Sequence, residues 1–238
     1  MSEPLRYYST NRHLDGVPGI TPFRETVPFR EALLMGQAPD EGLFMPETIP
    51  CLPADTLESL KGAAYTEAAL LVVKAFLAGE IEEERLRQIV RDAYNFDVPL
   101  ENVFARKYLM RLDQGPTASF KDFAARLMAR LMGAMRDPGK RLNVLVATSG
   151  DTGSAVGDAY KGVEGIDVTI LYPRNEVSGR QKTQLDTIGQ NVRAVSVDGK
   201  FDDCQDLVKQ AFADPGLADF NLTSANSINF GRILPQIV

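Results

Sequence analysis

Apolar positions along the first hundred residues recur at helical spacing between Pro-rich joints. Thr26-Val27-Pro28 opens a helix that Gly36 ends, because Pro suits a first turn and Gly a C-terminal cap. The segment Glu41-Gly42-Leu43-Phe44-Met45-Pro46 is expected to be a packed loop. Thr66 then caps a helix running to Gly79, and a second helix spans residues 82–94. Its opening run, Glu82-Glu83-Glu84-Arg85, is a solvated face with favourable charge at a helix start.

From about Leu100 the period switches repeatedly between two and 3.6. Short β-rich runs at 142–148, 168–172 and 192–197 are each followed by a helical stretch. That alternation predicts an α/β fold, a mainly helical N-terminal region followed by a parallel sheet. Parallel sheets place ligands at the carboxyl ends of their strands. The expected divisions are 1–98, 99–222 and 223–238. The last stretch opens a helix from Ser227 and ends on the apolar pair Ile237-Val238, so the fold is expected to continue in a longer chain.

Two segments carry candidate chemistry. Gln114-Gly115-Pro116-Thr117-Ala118-Ser119-Phe120-Lys121-Asp122 leads into the most regular helix, with Ser119 and Asp122 as an S-x-x-D capping pattern. On a helical wheel Lys121 falls at the edge of a buried stripe, while Arg126 falls on the open face. Partial burial and the positive end of the helix dipole disfavour a charged amine there, which suits a Schiff-base nucleophile. A stem merely snorkelling over apolar neighbours fits the same pattern.

The second segment is Thr148-Ser149-Gly150-Asp151-Thr152-Gly153, between a buried strand and a helix expected from Ser154. Glycines, hydroxyls and free N–H groups there make an anion cradle, or else an ordinary capped turn. It matches neither the Walker pattern nor G-x-G-x-x-G. Asp151 fits beside an anion only with its carboxylate turned away to cap the helix. Farther on, Asn226, Ser227, Asn229 and Arg232 could meet a phosphate, with Arg232 as a fork, or form a helix cap with a surface Arg. Ser178 caps the next helix, and Asp202, Asp203 and Asp206 form an acidic first turn rather than a metal cluster.

Composition narrows the classes. Lys+Arg 26 against Asp+Glu 32 gives a net charge of −6 over 238 residues, which excludes a basic nucleic-acid footprint. One His (His13, a surface or cap residue) and two isolated Cys (Cys51, Cys204) exclude a zinc site and leave no Ser-His-Asp engine. They fit a reduced cytosolic compartment. The start of the chain carries no apolar leader, and the run Ala68–Val73 stops at Lys74, so a soluble, cytoplasmic protein without membrane segments is expected.

Taken together, Gly42-Leu43-Phe44-Met45-Pro46, Gly115-Pro116-Thr117 with Phe120-Lys121-Asp122, the 148–153 turn, Leu171-Tyr172-Pro173 and Ser224-Ala225-Asn226-Ser227-Ile228-Asn229 resemble the threonine synthases, PLP enzymes of fold type II. The resemblance implies a three-layer αβα domain, present as an amino-terminal half and truncated before the rest of the large PLP domain. It implies that Lys121 carries PLP as a Schiff base and shuttles protons. Ser149, Gly150, Asp151, Thr152 and Gly153 hold the substrate carboxylate, and Asn226, Ser227, Asn229 and Arg232 the substrate phosphate. The implied reaction turns O-phosphohomoserine and water into threonine and phosphate. Two departures stand out: Gln114 replaces a His common in relatives, and the family's second glycine-rich loop, which grips the cofactor phosphate, is missing. A complementing carboxy-terminal half or a homodimer is therefore expected as partner. A serine or threonine dehydratase and a non-catalytic anion-binding paralogue are the alternatives.

Overall fold

In the computed structural model residues 5–238 are described; residues 1–4, on which the expectation about an apolar leader partly rests, lie outside them. No helix among the described residues is long and apolar enough to cross a membrane.

The first part comprises β1 (Tyr7–Ser9), α1 (Phe29–Met35), β2 (Phe44–Pro46), α2 (Ala54–Ser59), α3 (Tyr65–Leu77) and α4 (Glu83–Ala93). Part of the expected loop is thus strand, since β2 pairs antiparallel with β1. Gly42 makes that approach possible: a Cβ there would stand 2.1 Å from Ser9 Oγ. Asp40, buried beside it, accepts hydrogen bonds from the Ser9 hydroxyl and the N–H groups of Phe23 and Gly42. Gly36 closes α1 at φ 79°, and the Glu82 carboxylate caps α4 by accepting from Arg85 N. Thr66 does not cap α3. The helix already begins at Tyr65, behind Ala64, which puts Thr66 inside the first turn.

A hairpin follows, β3 (Leu100–Phe104) with β4 (Lys107–Met110), exposed along both strands. Leu100, Val103, Phe104 and Tyr108 are each 60–71% exposed, an unusual density of apolar surface for one ribbon.

Next come α5 (Lys121–Met135), β5 (Leu142–Ala147), α6 (Asp151–Tyr160), β6 (Ile166–Pro173), α7 (Gly179–Asp186), β7 (Val192–Val197), α8 (Phe201–Ala213), β8 (Leu222–Thr223) and the short α9 (Phe230–Ile233). The four strands form one parallel sheet in the order β7-β6-β5-β8. Side chains alternate across it: Val144, Val146, Val168 and Ile170 enter the main core, while Leu145 and Leu171 meet α8 on the other face. Helices on both faces make three layers.

One continuous core joins this domain to the helical region across residue 98. Phe230 of α9 packs its ring on Tyr7, Phe29 and Phe76. Helix α5 lies at the centre and is buried all round, not along one stripe; from Asp122 to Met132 only Arg130 is partly exposed. Arg126 is correspondingly not on an open face. Helix α4 covers that side, and Arg126 donates through Nε to Ala93 O and through Nη2 to Asp92 O and Asn95 Oδ1. It thereby satisfies carbonyls that the end of α4 leaves unpaired.

Two outcomes follow from this packing. Phe104→Asp should reduce apolar-dye binding and self-association while leaving stability within about 0.5 kcal/mol, because the ring contributes little to the core; a fall in the thermal midpoint would show that the hairpin is structural. Burial alone would raise the Asp40 carboxyl, but its hydrogen bonds from Ser9, Phe23 and Gly42 hold it below the ordinary 3.8. A depressed folded-state value means stability that is complete above the ordinary value and lost as pH falls through the lower one. Asp40→Asn should flatten the acid limb of a stability–pH curve, and an unchanged limb would contradict the assignment.

Candidate active site

The segment before α5 is organised around one buried carboxylate. Asp122, 0% exposed, accepts from Thr117 N at 2.9 Å and Thr117 Oγ1 at 2.7 Å. Gly115 lets the chain cross over it, since a Cβ at 115 would lie 2.5 Å from Asp122 Oδ2. Gly-Pro-Thr and Lys-Asp are therefore two halves of one clamp that fixes the backbone at Lys121. The expected capping box does not form: Asp122 turns to Thr117, and Ser119 Oγ accepts only from Lys121 N, at 3.3 Å.

Lys121 is partly buried, with Nζ 3.5 Å from Asp151 Oδ2 and 4.6 Å from the centroid of the Phe120 ring. A carboxylate and one aromatic face stand beside it. Its neighbour α6 starts three residues earlier than expected, at Asp151, so Asp151, Thr152 and Gly153 form the first turn. The Lys121–Asp151 contact, with Arg126 reaching Asp158 farther along, shows that α5 and α6 run parallel with their N-termini together.

The turn itself is held by Thr148, whose Oγ1 accepts from the N–H groups of Gly150 and Gly153. Gly150 adopts φ 137°, ψ −84°, which only glycine accommodates readily. Ser149 is exposed and Thr152 half-buried. Among the described residues the N–H groups of Asp151 and Thr152 have no backbone acceptor, as at any helix start. Asp151 does not cap the helix: its second oxygen accepts from Gln181 Nε2 at 2.8 Å.

The remaining candidates follow β8, the neighbour of β5. From β5 the chain proceeds to β6 and β7 on one side, then returns behind the sheet through α8 to β8 on the other. The crevice between β5 and β8 is thus the point where strand order reverses, the usual ligand position in an open parallel sheet. The two motif segments, 148–153 and 224–229, leave the carboxyl ends of these adjacent strands. Asn226 is half-buried and Ser227 exposed. Asn229 is fully buried and committed internally: Nδ2 donates to Leu33 O and Ser224 O, while Oδ1 accepts from Gly231 N. Arg232 is not a surface residue. It is 4% exposed, donates through Nη1 to Ala225 O and leaves Nε without a partner. Burial pulls its guanidinium below the ordinary value.

Gln114 donates to Asp113, which Arg111 holds well below the usual carboxylate range. Ser178 caps α7 as expected, and Asp202 and Asp203 occupy the first turn of α8. Exposed His13 accepts only from its neighbour Arg12. A groove of about 970 Å³, lined in part by Thr48, Lys74, Ile81 and Leu86, shares no residue with this site. Sequence reasoning missed Gln181; the Ser178-x-x-Gln181 capping pattern places it at the head of α7 but does not reveal its reach to Asp151.

Comparison with known proteins agrees with this geometry. Residues 98–231 match the family described as pyridoxal-phosphate dependent enzyme, which covers more than half of the chain. The chain belongs to that family. Residues 6–94 match the threonine synthase N terminus. The threonine synthase of Haemophilus influenzae is 42% identical over 214 residues, 90% of this chain and 50% of the relative. The crystal structure of threonine synthase from Escherichia coli superposes with a TM-score of 0.85 at 36% identity, covering 98% of this chain and 52% of that one. A PLP-bound threonine synthase from Brucella melitensis gives 0.86 at 38%, covering 98% and 50%. This pyridoxal-phosphate dependent enzyme chain spans about half the length of the relatives it matches. Pyridoxal phosphate is the family's cofactor. The residues present fit it in part: Lys121 offers a partly accessible amine beside a ring face and a turn with free N–H groups.

The clamp is testable by itself. Asp122→Ala removes a buried carboxylate and both of its hydrogen bonds from half-buried Thr117, and should cost about 1–3 kcal/mol in urea unfolding. Thr117→Val in the Asp122→Ala background should add much less than it does alone, since the two residues share one interaction. Full additivity would contradict the clamp.

Proposed function

We propose that this chain supplies the amine-bearing part of a threonine synthase, converting O-phosphohomoserine and water to threonine and phosphate. The supporting observation is the position of Lys121, clamped by Asp122 beside the glycine turn of α6, in a chain 42% identical to a threonine synthase. When bound, pyridoxal phosphate supplies an electron sink for carbanion chemistry. Lys121 holds the cofactor and moves the protons. Its Nζ would take the proton from the substrate Cα; the Cβ proton is lost next and phosphate departs from Cγ, after which a proton is delivered to Cγ, the hydroxyl of water adds at Cβ and a proton returns to Cα.

The substrate carboxylate rests on the turn of Ser149, Gly150, Asp151, Thr152 and Gly153, received by N–H groups at the helix start. Asn226, Ser227 and Arg232 receive the phosphate, supported by the buried Arg232 Nε, a donor without a partner. Asn229 acts at one remove, since its amide holds the loop by bonds to Leu33 and Ser224. The site is completed by a polypeptide corresponding to the rest of the relatives' length or by a second copy of this chain, and the exposed apolar hairpin β3–β4 is a surface either could cover. Two unpaired cysteines, one exposed and one buried, fit a cytoplasmic setting.

Incubation with pyridoxal 5′-phosphate, borohydride reduction and peptide mapping test this reading. The expected result is an adduct on Lys121, weak for the 238-residue chain and strengthened by adding the unmatched half of the Haemophilus influenzae relative. Lys121→Ala should abolish it. An adduct spread over surface lysines, with none on Lys121 under either condition, would favour a non-catalytic anion-binding module.

A further inference from the structure

Gln181 has both ends of its side-chain amide committed. Its Oε1 accepts from Ser178 N at 3.0 Å, completing the cap of α7, and its Nε2 donates to Asp151 Oδ1 at 2.8 Å. A flipped amide would put oxygen against carboxylate and N–H against N–H, so the orientation is fixed by its partners. Gly150 leaves room for it: a Cβ at 150 would stand 2.3 Å from Gln181 Nε2. The strained glycine at the turn is therefore what admits the amide of a different helix. The other oxygen of the same carboxylate lies 3.5 Å from Lys121 Nζ. Three helices are linked at one point: α7 through Gln181, α6 through Asp151 and α5 through Lys121.

We propose that Gln181 is a positioning residue for Lys121, holding Asp151 in the rotamer that pairs with and restrains the amine. This deepens the reading of Lys121 as the reactive amine. An amine held against a carboxylate must leave that partner before it can attack a carbonyl carbon, so the Gln181–Asp151 link sets how readily Lys121 is released. The helix-cap bond and the Asp151 bond are made by different atoms of the same amide, which allows them to be separated.

The test compares the reactivity of Lys121 in four variants by trace acetylation with acetic anhydride at neutral pH, a measurement that needs no cofactor. Asp151→Asn removes the charge and should raise the acetylation rate of Lys121 about two- to five-fold, the size expected for a partly exposed ion pair. Gln181→Met, which keeps the bulk and loses both bonds, should raise it similarly. Ser178→Ala loses its half of the same helix cap while leaving Nε2 on Asp151, and should label at the wild-type rate. The double variant Asp151→Asn with Gln181→Met should match Asp151→Asn alone, because both act through one contact.

Equal rates in Gln181→Met and Ser178→Ala, or additive effects in the double variant, would overturn the proposal and reduce Gln181 to a helix cap. A pyridoxal phosphate adduct absent from Lys121 would instead count against the functional reading and leave the acetylation result standing.

Discussion

The structure turns on a carboxylate with no solvent contact. Asp122 is taken up entirely by Thr117, through one backbone and one hydroxyl donor. Burying a carboxylate is costly unless its oxygens are occupied by donors. The loop from Gly115 to Phe120 supplies those donors only in one conformation, with Ala118 in the left-handed region at φ 55°. The first turn of the central helix thus inherits its position from a local bond. Lys121 inherits its own position in turn, being the residue next to Asp122.

What surrounds Lys121 follows from the sheet. Because β6 and β7 lie on one side of β5 and β8 on the other, α8 must pass behind the sheet, and the front of the β5–β8 boundary is left to α5, α6 and α9. Helix α5 has no strand immediately before it in the sheet. It enters from the hairpin, packs parallel to α6 and brings a second helix N-terminus to the mouth of the crevice. Each such terminus carries a partial positive charge of about half a unit. That concentration favours anionic ligands and explains why an acidic residue can sit in the glycine turn without disrupting it.

Local turns and caps were more legible in the sequence than the packing was. Local signals sufficed for Gly36 as a helix end, Ser178 as a cap, and the three long strands, each within two residues. The motif segments are locally constrained, since Asp122 beside Lys121 and the 148–153 turn are held by contacts a few positions away. Failures came where a distant partner decided the outcome. A helical wheel places Arg126 outward, but it cannot know that the carbonyls ending α4 need donors 33 residues away in sequence. The same limit hid the burial of Arg232 and the full internal commitment of Asn229, whose partner Leu33 is 196 positions distant. Helix α6 begins early because Thr148, in the preceding strand exit, satisfies the Gly153 N–H, so Asp151 is free to start the helix instead of capping it.

Asp151 is where the local and distant effects meet. At the first position of α6 it complements the helix dipole, which requires nothing beyond the helix itself. Its oxygens, however, are shared between α5 and α7, and that sharing depends on a glycine at 150 with a backbone few other residues could adopt. A carboxylate in this place offsets the positive character of two helix ends and stands beside the amine of Lys121. Its oxygens occupy only the amide of Gln181 and the amine of Lys121, and the N–H groups at the head of α6 keep no backbone acceptor among the described residues.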